Sequence, residues 1–193
     1  VREWLNSKEI SYATASNYIS VLNEVADNFC FSREEMKVLR EELKELPKAD
    51  LETRAYKGLE KIELRAHTQP AFELQRDYGL RANASTHINL DKQLIGNTLS
   101  YQEKGGKWSE KELSPSLVSK LKENAPGGKY EVNNRTYSRQ LKKEIEKTGQ
   151  VYNGTHGIRH SYAQKCLENG MGKSEVSQEM GHTRAEITDT YLR

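Results

Sequence analysis

The stretch from Thr155 to Tyr191 constrains this chain most. It opens T-H-G-I-R-H-S-Y-A and closes M-G-H-T-R-A-E-I-T-D-T-Y-L-R, with glycines at 170 and 181 marking a helix stop and a turn. His156 and Arg159 stand three apart at a helix start, so both side chains are expected to leave one face of its first turn. The glycines fold the segment back on itself. His182, 23 residues after Arg159, and Tyr191, nine after His182, are therefore expected to meet that face. A cation, two imidazoles and a phenol at one point suit a phosphodiester. Arginine presents a planar fork to phosphate oxygens, and a phenol can act as a covalent nucleophile.

Upstream, apolar residues recur at Tyr12, Ala15, Ile19, Leu22, Ala26 and Phe29, the spacing of an amphipathic helix over 11–29. Ser32 with Glu35 forms a capping box. It opens a second helix whose stripe is Met36, Leu39, Leu43 and Leu46, ending at Pro47. A third helix is predicted over 50–65, with Leu51, Ala55, Leu59 and Ile62 inward and Gly58 a weak point. Pro70 opens the next helix and Gly79 closes it, leaving Gly79-Leu80-Arg81 as a turn that displays Arg81.

The pattern then alternates over Thr86–Leu90 and Asn97–Gln102. Lys107–Leu113 pairs back across Glu103-Lys104-Gly105-Gly106, predicting a small antiparallel sheet of three strands with Lys104 at a hairpin tip. Ser114-Pro115 starts a helix to about 124, Pro126-Gly127-Gly128 breaks it, and 134–148 is helical with Leu141 and Ile145 inward. The expected fold is α+β and mainly α: a helical bundle with a small antiparallel three-stranded sheet, preceded by part of a helical N-terminal domain. The expected domains are 1–50 and 51–193.

Hydrophobic residues make up 35% of the 193, enough for a modest core. No apolar run is long enough to span a membrane and no leader pattern appears, so membrane and secretory roles are not expected. Cys30 and Cys166 lack CxxC spacing, which fits a reducing compartment and argues against a zinc knot. The net charge of +2 says little, but its distribution says more. Residues 1–63 hold 10 Lys and Arg against 13 Asp and Glu, whereas 104–165 hold 13 against 6, a local excess that attracts a polyanion.

Each candidate also has a bland reading. Tyr191 is one of ten tyrosines, and a single tyrosine is most often a packing residue with a polar tip. His156 serves equally as a cap, Arg159 as a carboxylate's partner, His182 as a turn residue and Lys104 as a solubilising lysine. Taken in order, however, G-L-R at 79–81, K-G-G-K at 104–107, H-x-x-R at 156–159, M-G-H at 180–182 and a tyrosine nine residues on resemble the tyrosine recombinase, or phage integrase, family. The match spans most of 70–193. Trp4-Leu5, Ser11–Ala15 and Asn17-Tyr18-Ile19 look like the end of that family's core-binding helical domain.

The resemblance implies a site-specific recombinase that cuts and rejoins DNA through a 3′-phosphotyrosyl intermediate, without metal or other cofactor. It implies that Arg81, Arg159 and His182 hold the scissile phosphate, Tyr191 attacks it, Lys104 protonates the departing 5′ oxygen and His156 assists proton transfer. Lys107 is the alternate lysine. The implied partner is double-stranded DNA bearing a specific recombination site, with a homotetramer on DNA for the full-length protein, in the bacterial cytoplasm at the nucleoid.

Two departures from the pattern stand out. Family members often carry an acid three residues after the first arginine, where this chain has Ala84, so support for Arg81 is expected from elsewhere. The sequence also begins at Val1 and ends two residues past Tyr191, and is read as a fragment, expected to be monomeric alone and to bind and cleave weakly. Two alternatives stay open: relaxation of DNA in the manner of a type IB topoisomerase, and an accessory DNA-binding protein without catalysis.

Overall fold

The computed structural model describes residues 12–25, 32–43, 54–103 and 105–181. Its packing divides the chain into two compact units, 1–51 and 52–193. In the first, helix α1 (Tyr12–Val25) and helix α2 (Arg33–Leu43) pack together, burying Ala15, Ile19 and Met36. The expected capping box is present at the start of α2. Glu35 N donates to Ser32 Oγ at 3.1 Å, and Ser32 N donates to Glu35 Oε2 at 2.8 Å. Of the expected apolar stripe, Ala26, Phe29 and Leu46 lie outside the described residues.

The second unit opens with a correction. Residues 54–65 are not helical: they run irregularly into a single 3-10 turn, Leu59–Lys61. Gly58, at φ 68°, has the left-handed backbone that interrupts a helix. Leu59 and Ile62 are still buried, because the irregular segment is laid across the core.

Helix α3 (Gln69–Tyr78) starts on Pro70 and stops at Gly79, also left-handed at φ 68°, as the sequence indicates. It is buried from Pro70 to Gln75 and forms the spine of the unit. Polar anchors hold it. Tyr137 Oη donates to Gln75 Oε1 at 2.6 Å, and Tyr130 Oη accepts from Ala71 N at 3.1 Å while donating to the His67 carbonyl at 2.8 Å.

After α3 come α4 (Ala82–Thr86), β1 (His87–Asn89), α5 (Leu90–Gln93), β2 (Leu94–Ile95), β3 (Thr98–Gln102) and β4 (Trp108–Glu112). The three-stranded antiparallel sheet is present in the order β2-β3-β4, but its first strand is not the expected one. β1 instead pairs with β5 (Lys129–Glu131), His87 opposite Glu131 and Asn89 opposite Lys129. Asn89 ends the strand because its side chain accepts from Lys92 N at 3.2 Å and caps α5.

Helices α6 (Pro115–Glu123), α7 (Asn134–Lys147), α8 (His156–Glu168) and α9 (Lys173–Glu179) complete the described chain. Leu141 and Ile145 of α7 face inward as expected. The main core gathers Phe72, Leu74, Leu80, Ile88, Leu99 and Leu121 with α7 and Ile158. A smaller cluster of Tyr162, Ala163, Cys166, Val176 and Met180 joins α8 to α9. The molecule is thus mainly helical with small antiparallel sheets.

Candidate active site

The site is built around the first turn of α8. Gly157 sits where a side chain has no room: a Cβ there would lie 2.4 Å from the Tyr56 ring and 2.6 Å from the Arg54 carbonyl oxygen. The absence of a side chain lets residues 54–56 lie directly on the helix start. Tyr56 N donates to Ser161 Oγ at 2.7 Å, and Tyr56 Oη accepts from Asn153 N at 2.7 Å while donating to the Gly154 carbonyl at 2.8 Å. His156 and Arg159 are therefore projected from a helix end that is held on two sides.

Arg159 is 1% exposed. Its Nη1 donates to the carbonyl of Gly79, at the close of α3, and its Nη2 to the carbonyl of Met180, just past α9. One guanidinium thus ties the turn that leads to Arg81 to the turn that leads to His182. The spacing places Arg159 on the face of His156; the carbonyls that receive its guanidinium come from loops distant in sequence.

Arg81 stands at the head of α4 in extended backbone. Its Nη1 pairs with Glu103 Oε2, at the end of β3. The carboxylate is behind and the cation in front: 2% of the Glu103 side chain is exposed, against 27% of the Arg81 side chain. Arg81 faces a cleft of about 540 Å³ shared with Asn83, His87, Gln102 and Trp108. Trp108 is 59% exposed.

The charges of Arg81 and Arg159 both reach His156 and the buried phenol of Tyr101. His156 keeps an exposed edge, yet the atoms packed around it lower its pKa to about 4, with His160, Arg159, Arg81 and Arg54 adding to the effect. Water at that edge screens part of the push, and the ring still favours its neutral form. The imidazole is thus neutral at pH 7, able to accept a proton. His160, buried beneath it, meets the His156 ring edge-on at 5.3 Å.

Arg81, Arg159 and His156 are therefore brought together. Lys104, His182 and Tyr191 lie outside the described residues. The neighbours of the first two are described and they touch: a Cβ on Gly181 would fall 2.7 Å from Glu103 Oε1, so Gly181 lies against the Glu103 side chain. Glu103 N donates to the Lys107 carbonyl at 2.7 Å, and Gly106 N to the Glu103 carbonyl at 3.1 Å, closing the hairpin tip.

Two described tyrosines, one in the HxxR helix and one just before it, are occupied. Tyr162 is 8% exposed and donates to Glu179 Oε1 at 2.6 Å, and burial with that bond raises its pKa. Tyr152 stacks on Tyr56 and bonds Ser138 Oγ at 2.7 Å, and burial raises its pKa too.

Glu103 is the residue that motif reasoning passed over, although a signal was available. Along β3, Leu99 and Tyr101 are buried and residues 98, 100 and 102 are not, so alternation places position 103 on the buried face. A carboxylate there calls for a cation.

The sequence matches the model of the phage integrase family over residues 48–193. No curated protein matches it. Among solved structures, the chain is similar to the XerH site-specific recombinase bound to difH substrate, at 17% identity, covering 96% of this chain and 68% of that one, with a TM-score of 0.60. It is also similar to the Tn1549 transposon integrase in complex with circular intermediate DNA, at 13% identity, 99% and 79% coverage and a TM-score of 0.65. An integrase from mycobacterium phage Brujita aligns at 19% identity, 96% and 71% coverage and a TM-score of 0.57. At these identities the likeness is one of fold.

Proposed function

The chain belongs to the phage integrase family, and from that premise we propose that it is a site-specific DNA recombinase working through a covalent phosphotyrosyl intermediate on Tyr191. The observation that carries the reading is the Arg159 clasp. It holds the turns that lead to Arg81 and His182 on one buried cation whose charge reaches a neutral imidazole, and Arg81 itself lines an open cleft.

The chemistry follows from charge. A phosphodiester is anionic and repels nucleophiles, and attack concentrates further charge on its non-bridging oxygens. In this scheme Arg81 and His182 donate to that charge directly, each fixed donor contributing about 10²–10³ in rate, and Arg159, whose Nη atoms are engaged by Gly79 and Met180, adds its positive charge from behind. The Tyr191 oxygen attacks phosphorus and gives its proton to His156. The bond to the 5′ oxygen breaks, and Lys104 supplies the proton that this oxygen takes up. The 3′-phosphotyrosyl bond conserves the energy of the broken one, so a 5′ hydroxyl from a partner strand reverses the steps and completes exchange. No metal or other cofactor enters this scheme. The full-length protein works as a homotetramer on two copies of a specific duplex site, at the DNA of the bacterial cytoplasm. The domains are read as 1–50, the end of a core-binding unit, and 51–193, the catalytic unit.

The test is covalent capture. The chain is incubated with nicked duplexes carrying a randomised core, with and without EDTA, and adducts are resolved on a denaturing gel. The reading expects an EDTA-resistant adduct on a recurring sequence. Adducts on every sequence, together with relaxation of any supercoiled plasmid, would favour a topoisomerase, and no adduct at all an accessory DNA-binding protein.

A further inference from the structure

We propose that Glu103 is a positioning residue of this site: its buried carboxylate holds Arg81 against the cleft and joins it to the hairpin and to the turn before His182. The inference rests on the recombinase reading above, and deepens it. Position 84 is alanine, so the residue three after Arg81 supplies no carboxylate. The acid that pairs with Arg81 comes from the end of β3 instead.

Three observations define what Glu103 does. Its side chain is 2% exposed, so an unpaired carboxylate there would be desolvated without compensation, and the pair holds together. Arginine has several rotatable bonds, and fixing its head before substrate arrives removes that ordering from the catalytic step. The same residue closes the hairpin tip through its backbone, at 2.7 Å to Lys107 and 3.1 Å to Gly106, so the residue preceding Lys104 is pinned from both sides. Its Oε1 also occupies the space where Gly181 lacks a side chain. Glu103 is therefore the point at which three separated motifs meet, through its backbone and through each of its two carboxylate oxygens.

The role is read in two ways. In the free chain, nitrogen-15 spectra of the arginine side chains should show restricted rotation of the Arg81 guanidinium, lost in Glu103→Gln and largely kept in Glu103→Asp. On the nicked duplex most enriched by wild-type covalent capture, Glu103→Gln should slow single-turnover cleavage by about 30-fold, with duplex affinity within about twofold of wild type. Glu103→Asp should lose less. Because Glu103 acts through Arg81, Arg81→Ala with Glu103→Gln should be no slower than Arg81→Ala alone.

Wild-type cleavage in a folded Glu103→Gln, multiplying losses in the double variant, or an unchanged Arg81 spectrum would each overturn the proposal. If Glu103→Gln melts below the assay temperature, both readouts are taken below its melting temperature with wild type alongside, and the same outcomes decide. Absence of any wild-type adduct would count against the recombinase reading, and the Arg81 spectra would still decide whether Glu103 positions it.

Discussion

Arg159 donates to the backbone carbonyl of Met180, and the same guanidinium donates to the carbonyl of Gly79. A bond from a helix start to the turn after α9 means that the turns at Gly79 and Met180 both depend on one buried side chain. The two arginines are then unequal: Arg159 is structural as well as electrostatic, whereas Arg81 faces the cleft with its carboxylate behind it.

Arg159→Ala should therefore lower stability by at least ~3 kcal/mol, since it leaves two carbonyls unpaired in a buried place. Arg81→Ala should change the melting temperature far less while reducing cleavage by about 10². Thermal melts of both variants check this. Equal melting temperatures would remove the clasp from the account.

His156 keeps an edge in water, but the atoms packed around it and the nearby His160, Arg159, Arg81 and Arg54 favour its neutral form. Its pKa falls in the fold from 6.5 to about 4, so protonation opposes folding. The stability tied to the neutral ring is fully present above pH 6.5 and is lost as pH falls through about 4. A proton NMR titration of the free protein should show no His156 midpoint between about pH 8 and about pH 5. A midpoint near the ordinary histidine value would show that water at the exposed edge cancels the push of the surrounding groups.

Much of the fold was legible from local signals. The Ser32–Glu35 box, Pro70 and Gly79 around α3, and the glycines of the 103–107 hairpin each act within a few residues, so spacing alone locates them. The misreadings involve tertiary partners. Leu51, Ala55, Leu59 and Ile62 keep a helical interval, but Leu59 and Ile62 are buried by an irregular segment crossing the core. The β1–β5 pairing joins residues far apart in sequence, and the Pro126-Gly127-Gly128 break hid the short strand that follows it. In the site, the positions of Arg81, His156 and Arg159 were readable from their motifs. Their partners, Glu103 and the carbonyls of Gly79 and Met180, depend on how the loops fold together.

Gly157→Ala tests whether the support beneath the motif helix matters. The new methyl meets both the Tyr56 ring and a backbone oxygen, and the backbone cannot yield as a flexible side chain would. Stability should fall by about 1–3 kcal/mol, and cleavage should fall further than the melting temperature explains. Full activity at a temperature where the variant is folded would show that the helix start tolerates displacement.

Lys104→Ala should slow cleavage of ordinary DNA and be rescued by a substrate whose bridging 5′ oxygen is replaced by sulfur, because that leaving group departs without a proton. Lys107, whose carbonyl closes the same hairpin, is the control. Rescue of Lys107→Ala and not of Lys104→Ala would transfer the proton-donor role to Lys107.

The account turns on which oxygen becomes bonded to DNA. Covalent complexes trapped on the captured duplex can be digested with trypsin and nuclease and the modified peptide sequenced by mass spectrometry. The account predicts nucleotide mass on Tyr191 within the peptide Ala185–Arg193, and no adduct from Tyr191→Phe. Nucleotide on Tyr152 or Tyr162, or an adduct that persists in Tyr191→Phe, would contradict it.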